Sequence, residues 1–188
     1  MAIGFKHMER DWFADDDGRG VPAYFRRAHR RPANGPVSFM LRYGDSLFKV
    51  NTVAEHAALD RKYGYVWLGK FGVGASQARI DQLKAQLTKK QPSTLYLCNH
   101  KAITHEARIL DVVGGGVRNL RVAPQPSRVP KYYRDIGCAI WFKVSGIRKA
   151  RPESIRALRL ANDPTSIPRL NTTQSLIMVV RARKRDEI

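Results

Sequence analysis

Only two cysteines, Cys98 and Cys138, occur in the 188 residues. Two lone thiols make no disulfide framework, so the chain reads as one with reduced cysteines, and a cytoplasmic location is expected. Acidic residues are scarce as well. Sixteen Asp and Glu stand against 34 Lys and Arg, a net charge of +18. A nuclease that holds magnesium needs clustered carboxylates, but here Asp15, Asp16 and Asp17 precede a glycine in a loop-like stretch. No uninterrupted apolar run approaches the roughly 18–20 residues of a membrane span. The first residues mix acids and lysine into any apolar stretch, unlike a secretory leader. No membrane partner is expected.

Residue patterns of familiar chemistries are thin too. Cys98-x-His100-x4-His105, with Cys138 as a fourth ligand, lacks the tight repeated pair of a zinc site. Neither a metal nor any cofactor is expected. His105 and Glu106 are neighbours on an extended segment, so their side chains point to opposite faces. Gly72-x-Gly74 lacks the third glycine of a dinucleotide loop, and no P-loop or G-x-S-x-G occurs. No catalytic residue is assigned, and an enzyme acting on nucleic acid ranks third among the functional readings.

What the chain has is basic charge, and it is unevenly placed. Between residues 114 and 151 nine Lys and Arg face one acid, Asp135. Arg118, Arg121, Arg128, Lys131 and Arg134 lie there in a Gly- and Pro-rich stretch, and a second cluster, Arg26, Arg27, Arg30 and Arg31, lies near the start. A small soluble domain needs a charge of magnitude about 2–8, so +18 points to a polyanionic partner. Arginine's planar fork suits phosphate and guanine edges. Nucleic acid is therefore the expected partner, with DNA favoured over RNA.

The length fits one domain, and 43% hydrophobic residues suffice for a core. Residues 1–36 read as a basic, irregular N-terminal arm with one short helix around residues 23–29. Residues 37–182 read as the nucleic-acid-binding domain, and 183–188 as a tail. Strands are predicted over 37–43, 65–71, 94–98, 103–113, 138–144 and 175–181 from their β-branched and aromatic content. A further strand over 47–50 would close a hairpin with the first. Helices are predicted over 52–62, with Thr52 as N-cap and Glu55 completing a capping box; over 77–90, capped by Ser76; and over 153–160, opened by Pro152. Helices separate only some strands, which points to an α+β fold: a small mixed β-barrel of about five to seven strands with two to three flanking helices.

From residue 65 to 147 the segments YVWLGKFG, STLYLCNHKAITHEARILDVV and GCAIWFKVSGI resemble the PUA-like superfamily, in particular its EVE and YTH branches. The stretch VPKYYRD resembles EVE-like modules of modification-dependent restriction systems. The loop at 72–76 lacks the tryptophan of the YTH pattern. The resemblance implies a module that reads DNA, a modified and flipped base included, as the targeting domain of a restriction or defence system. An effector subunit or further domain would supply the chemistry. The alternative it implies is an RNA-binding PUA-type protein. Aromatic walls return by stacking part of the cost of extracting a base. Candidate pocket residues are Trp67, Trp141, Tyr132 and Tyr133, with Asn99 and His100 reaching the base's polar edge. Strand alternation places one of the two tryptophans in the barrel core. Ser76, with the amides of Gly74 and Ala75, forms a candidate anion site at a helix N-terminus.

Overall fold

The runs Val37–Arg42, Val66–Lys70 and Thr94–Cys98 become strands that bury nearly every side chain, while Ile103–Gly114 and Ile140–Lys149 leave several positions exposed. The computed structural model describes residues 36–45, 49–99, 101–114, 120–170 and 176–182. The chain divides into two units, Met1–Arg30 and Arg31–Ile188, and every described residue belongs to the second. The helix expected near residues 23–29, the cluster Arg26, Arg27, Arg30 and Arg31, and His100, Arg118 and the tail lie outside the described residues.

In chain order the elements are β1 (Val37–Arg42), α1 (Thr52–Tyr63), β2 (Val66–Lys70), α2 (Gln77–Thr88), β3 (Thr94–Cys98), β4 (Ile103–Gly114), β5 (Ile140–Lys149), α3 (Pro152–Arg156), β6 (Leu158–Leu160) and β7 (Leu176–Arg181). The strands form one sheet in the order β2-β5-β4-β3-β1-β7-β6. Only β1 and β3 run parallel; the other neighbours are antiparallel. The result is an α+β fold with seven strands and three helices among the described residues. Its edge strands β2 and β6 do not bond to each other, so the ladder stays open. The sheet is nonetheless strongly curled. Phe39 of β1 and Phe142 of β5 meet with ring centroids 5.5 Å apart, although β3 and β4 lie between them in the ladder.

Alternation sorts the side chains. Phe39, Leu41, Leu68, Leu97, Ile109 and Phe142 point to the concave side, where Val53 of α1 and Ile80 and Leu83 of α2 close the main core. Gln86 ties α2 to the start of β1: its Oε1 accepts from Val37 N at 2.7 Å and its Nε2 donates to Val37 O at 3.0 Å. On the convex side Met40, Tyr96, Leu158 and Val179 form a second cluster. Trp67 and Trp141 anchor a third, under the segment that joins β4 to β5.

Three local expectations are corrected. Half of the strand expected over 47–50 lies outside the described residues; of the rest, Lys49 sits in a turn with φ 54°, and β3 and β7 occupy both edges of β1, so no hairpin partner fits there. The N-cap of α1 is Asn51, whose Oδ1 accepts from Ala54 N at 2.9 Å, so the capping role falls one residue before Thr52. The third helix ends at Arg156, and Leu158–Leu160 pairs with β7 instead. Burying Leu158 in the convex cluster outweighs its helix propensity. β5 also runs past Gly146, whose φ of 68° accommodates a bulge: Glu106 pairs with Arg148 and Arg108 with Ser145, two residues apart on one strand and three on the other.

Candidate nucleic-acid interface

β1 and β2 end side by side without pairing, and a cleft of about 200 Å³ opens between them. Arg42, Tyr43 and Gly44 line one wall; Leu68, Lys70 and Phe71 line the other; Thr52, Tyr132 and Tyr133 close it. The two tyrosines come from a 3-10 turn, Lys131–Tyr133, which follows Pro130. Proline has no amide proton and a fixed φ, so it starts such a turn readily.

Tyr133 is held from every side. Its hydroxyl donates to the carbonyl of Gly69. Phe71 meets it edge-on at 5.0 Å, Trp141 packs behind it at 5.4 Å and His56 lies at 5.7 Å. Gly69 must lack a side chain here. A Cβ would stand 2.5 Å from Cys138 Sγ and 2.9 Å from the Trp141 ring. Tyr132 packs against Tyr133 with centroids 6.0 Å apart. Burial pushes both phenols above the ordinary tyrosine range, while the Thr52 hydroxyl opposes the shift at Tyr132 and the Gly69 carbonyl opposes it at Tyr133. Both are therefore neutral at physiological pH.

Lys70 is 7% exposed and its ammonium donates to the Phe71 carbonyl. Burial lowers its pKa; Cys138 opposes that shift and Arg42 adds to it. His56 is fully buried in α1. Its Nδ1–H donates to the Thr52 carbonyl at 2.7 Å, and its Nε2 has no partner among the described residues. Desolvation lowers its pKa to about 4, partly offset by that hydrogen bond. Both cysteines are buried free thiols, pushed up to about 11 mainly by desolvation. Among the described residues no three His, Cys, Asp or Glu side chains gather as a metal-binding group, and no helix is long and apolar enough to cross a membrane.

The residues singled out in the sequence scatter. Tyr132 and Tyr133 line the cleft. Trp67 and Trp141 do not: both point to the convex side, under the loop, and neither joins the main core. Trp141 Nε1 donates to the Arg121 carbonyl at 2.7 Å, which clamps the loop to β5. Asn99 builds its own turn, with Oδ1 accepting from the amides of Lys101 and Ala102 at 2.8 Å each, and does not line the cleft. Arg121 and Lys131 are exposed. Arg128 lies over Tyr63 at 3.9 Å and Tyr65 at 5.1 Å, a cation–π stack on the convex side of β2. Arg134 Nε donates to Val129 O at 3.2 Å. Ser76 is exposed at the N-cap position of α2 and makes no capping hydrogen bond.

Sequence reasoning missed Arg42, Tyr43, Lys70 and Phe71. Phe71 carried a readable signal, an aromatic residue just past the last strand position. Tyr43 and Arg42 carried none, because nothing local brings the end of β1 to the end of β2.

The family model described as Pua-like matches residues 39–179, well over half of the chain. No curated protein and no solved structure matches it.

Proposed function

This chain belongs to the Pua-like family, and from that premise we propose that it binds nucleic acid by taking one base into the cleft between Tyr43, Phe71, Tyr132 and Tyr133. Family membership carries nucleic-acid binding at the coarse level; the base pocket is our reading of this chain. One observation supports it most. Aromatic side chains from three separate segments converge on one cleft, and two cations, Arg42 and Lys70, join them there. At about 200 Å³ the cleft falls below the ~300–1,000 Å³ of drug-sized pockets, which suits one planar ring system.

The energetics are balanced in the required way. Extracting a base costs a few kcal/mol, and stacking on aromatic faces returns ~1–3 kcal/mol. A methyl group on the base adds apolar contact worth ~0.8 kcal/mol. In this reading the polymer is DNA and the chain is the targeting part of a restriction or defence system. The resemblance of VPKYYRD to EVE-like modules supports that setting, and the +18 charge supports a phosphate-dominated footprint that includes exposed Arg121 and Lys131. Neutralising about six duplex phosphates gives a log–log salt slope near −5.

Anisotropy titrations with matched DNA and RNA oligonucleotides, methylated and unmethylated, test this. Phe71→Ala and Tyr132→Ala are expected to weaken binding of the preferred base about 5- to 150-fold, the range of ~1–3 kcal/mol per stacked base, and to leave the salt slope unaltered. Folded variants that bind as the wild type does would remove the cleft from the interface. Tighter binding to RNA would replace the DNA assignment.

A further inference from the structure

A second pocket, of about 290 Å³, lies against β4, β5 and β7 and is lined by Arg108, Arg148, Arg151 and Arg181 around one acid, Glu106. Glu106 is 3% exposed. Its Oε1 accepts from Arg148 Nε at 3.0 Å and Nη2 at 2.9 Å, and lies 3.3 Å from Arg151 Nε. Its Oε2 is buried without a hydrogen-bond partner among the described residues. The two arginine side chains are themselves 64% and 53% exposed. Arg181 reaches the same pocket from β7, where its Nη2 donates to the Tyr96 hydroxyl at 3.2 Å.

The carboxylate is buried and the guanidinium groups are not, so Glu106 positions the arginines more than they serve it. A charge-assisted hydrogen bond holds Arg148 and an ion pair holds Arg151 against the same oxygen, and holding them beforehand removes ordering cost from any later binding step. Four guanidinium groups converge on buried Glu106, and the exposed Glu153 carboxylate lies 3.6 Å from Arg151 Nε, so the two acids leave a net positive charge there. The pocket has hydroxyls, Thr94 and Ser145, and no aromatic ring. That lining suits a phosphate and its sugars and gives a base no stacking wall. We infer that this pocket is a phosphodiester subsite, which grips the backbone of the strand whose base enters the aromatic cleft, with Glu106 as its positioning residue.

The inference rests on nucleic acid as the partner, and its test separates the two sites. The full chain is titrated with a fluorescein-labelled single-stranded oligonucleotide at several salt concentrations. Arg148→Gln with Arg151→Gln is expected to weaken binding at least tenfold for every base sequence, to flatten the salt slope by about 0.7 per lost phosphate, and to preserve base preference. Arg108→Glu, at an exposed position outside the Glu106 hydrogen bonds, acts in the same direction and guards against a folding defect. Tripolyphosphate competes with the oligonucleotide in the wild type and loses that effect in the double variant. Wild-type affinity and slope in both folded variants would overturn the subsite. So would a rise in melting temperature with phosphate that leaves oligonucleotide binding equal in wild type and variants, since that assigns the pocket to a free anion. If Phe71→Ala and Tyr132→Ala bind normally while the arginine variants do not, the cleft fails and the subsite stands.

Discussion

The segment over β2 and β5 and the pocket around Glu106 sit on the same sheet and solve opposite problems. In the first, Trp67, Trp141, Tyr133 and Cys138 are each at most 5% exposed. Trp141 and Tyr133 each direct their polar atom at a backbone carbonyl. In the second, two largely exposed arginines bend over one buried acid. The first region is rigid because its side chains are interlocked and apolar, with the energy in area and packing. The second owes its order to charge in contact with water, where each ion pair is worth little. Shape is held by the first and charge is presented by the second, which is the division a strand needs if one part is read and another is gripped.

The comparison breaks first at Trp141. Replacing it with Ala opens a cavity under the loop and removes one of the two donors to the Arg121 carbonyl, the Cys138 amide remaining. The expected cost is about 3–5 kcal/mol, read as a lowered midpoint in urea. A loss under 1 kcal/mol would mean that the loop is not held by this ring.

Acid should weaken the same region next. His56 lies beneath Tyr133, and burial lowers its pKa from the ordinary 6.5 to about 4. Below pH 6.5 the unfolded chain takes up a proton that the folded chain refuses until about pH 4. Stability from this residue is therefore complete above 6.5 and falls as pH drops toward 4. Between pH 7 and 5 the loss comes to about 2 kcal/mol. Urea titrations of His56→Gln beside the wild type check it; equal pH dependence would count against a buried neutral imidazole.

Two smaller effects sharpen the contrast. Asn51→Ala removes the cap next to Thr52 on the cleft wall and should cost about 1 kcal/mol, visible as a modest drop in melting temperature. Arg151→Gln should cost less still, under about 1 kcal/mol, because its ion pair is half exposed. If Arg151→Gln destabilised as much as Trp141→Ala, the two regions would not differ in the way their burial implies.

Much of the architecture follows from local pattern. Strands 94–98 and 103–113 and the helix that begins after Ser76 are legible, because strand and helix patterns act within a few residues. The net charge, and the polyanionic partner it calls for, follow from composition alone. The failures share one cause. Leu158 would extend a helix on propensity, yet a place beside β7 buries it. The 47–50 segment would pair with β1 on pattern, yet β3 and β7, more than 50 and 130 residues away in the chain, take both edges. Alternation places Trp67 and Trp141 on one face, since Leu68 and Phe142 point to the core, but only the covering loop decides that this face is closed.

What the sequence by itself determined is the set of parts: a basic chain, short strands rich in β-branched and aromatic residues, and tyrosines in a Pro-rich loop flanked by basic residues. These depend on side-chain chemistry and on neighbours in the chain. Tertiary structure decided which parts meet. Curling of the sheet brings Arg42 and Tyr43 to Phe71 and Tyr132 across the β1–β2 gap, and brings Arg181 to Glu106. The bulge at Gly146 sets Arg148 opposite Glu106. Curl and register are settled by how all seven strands pack at once over a shared core, so no single segment carries them.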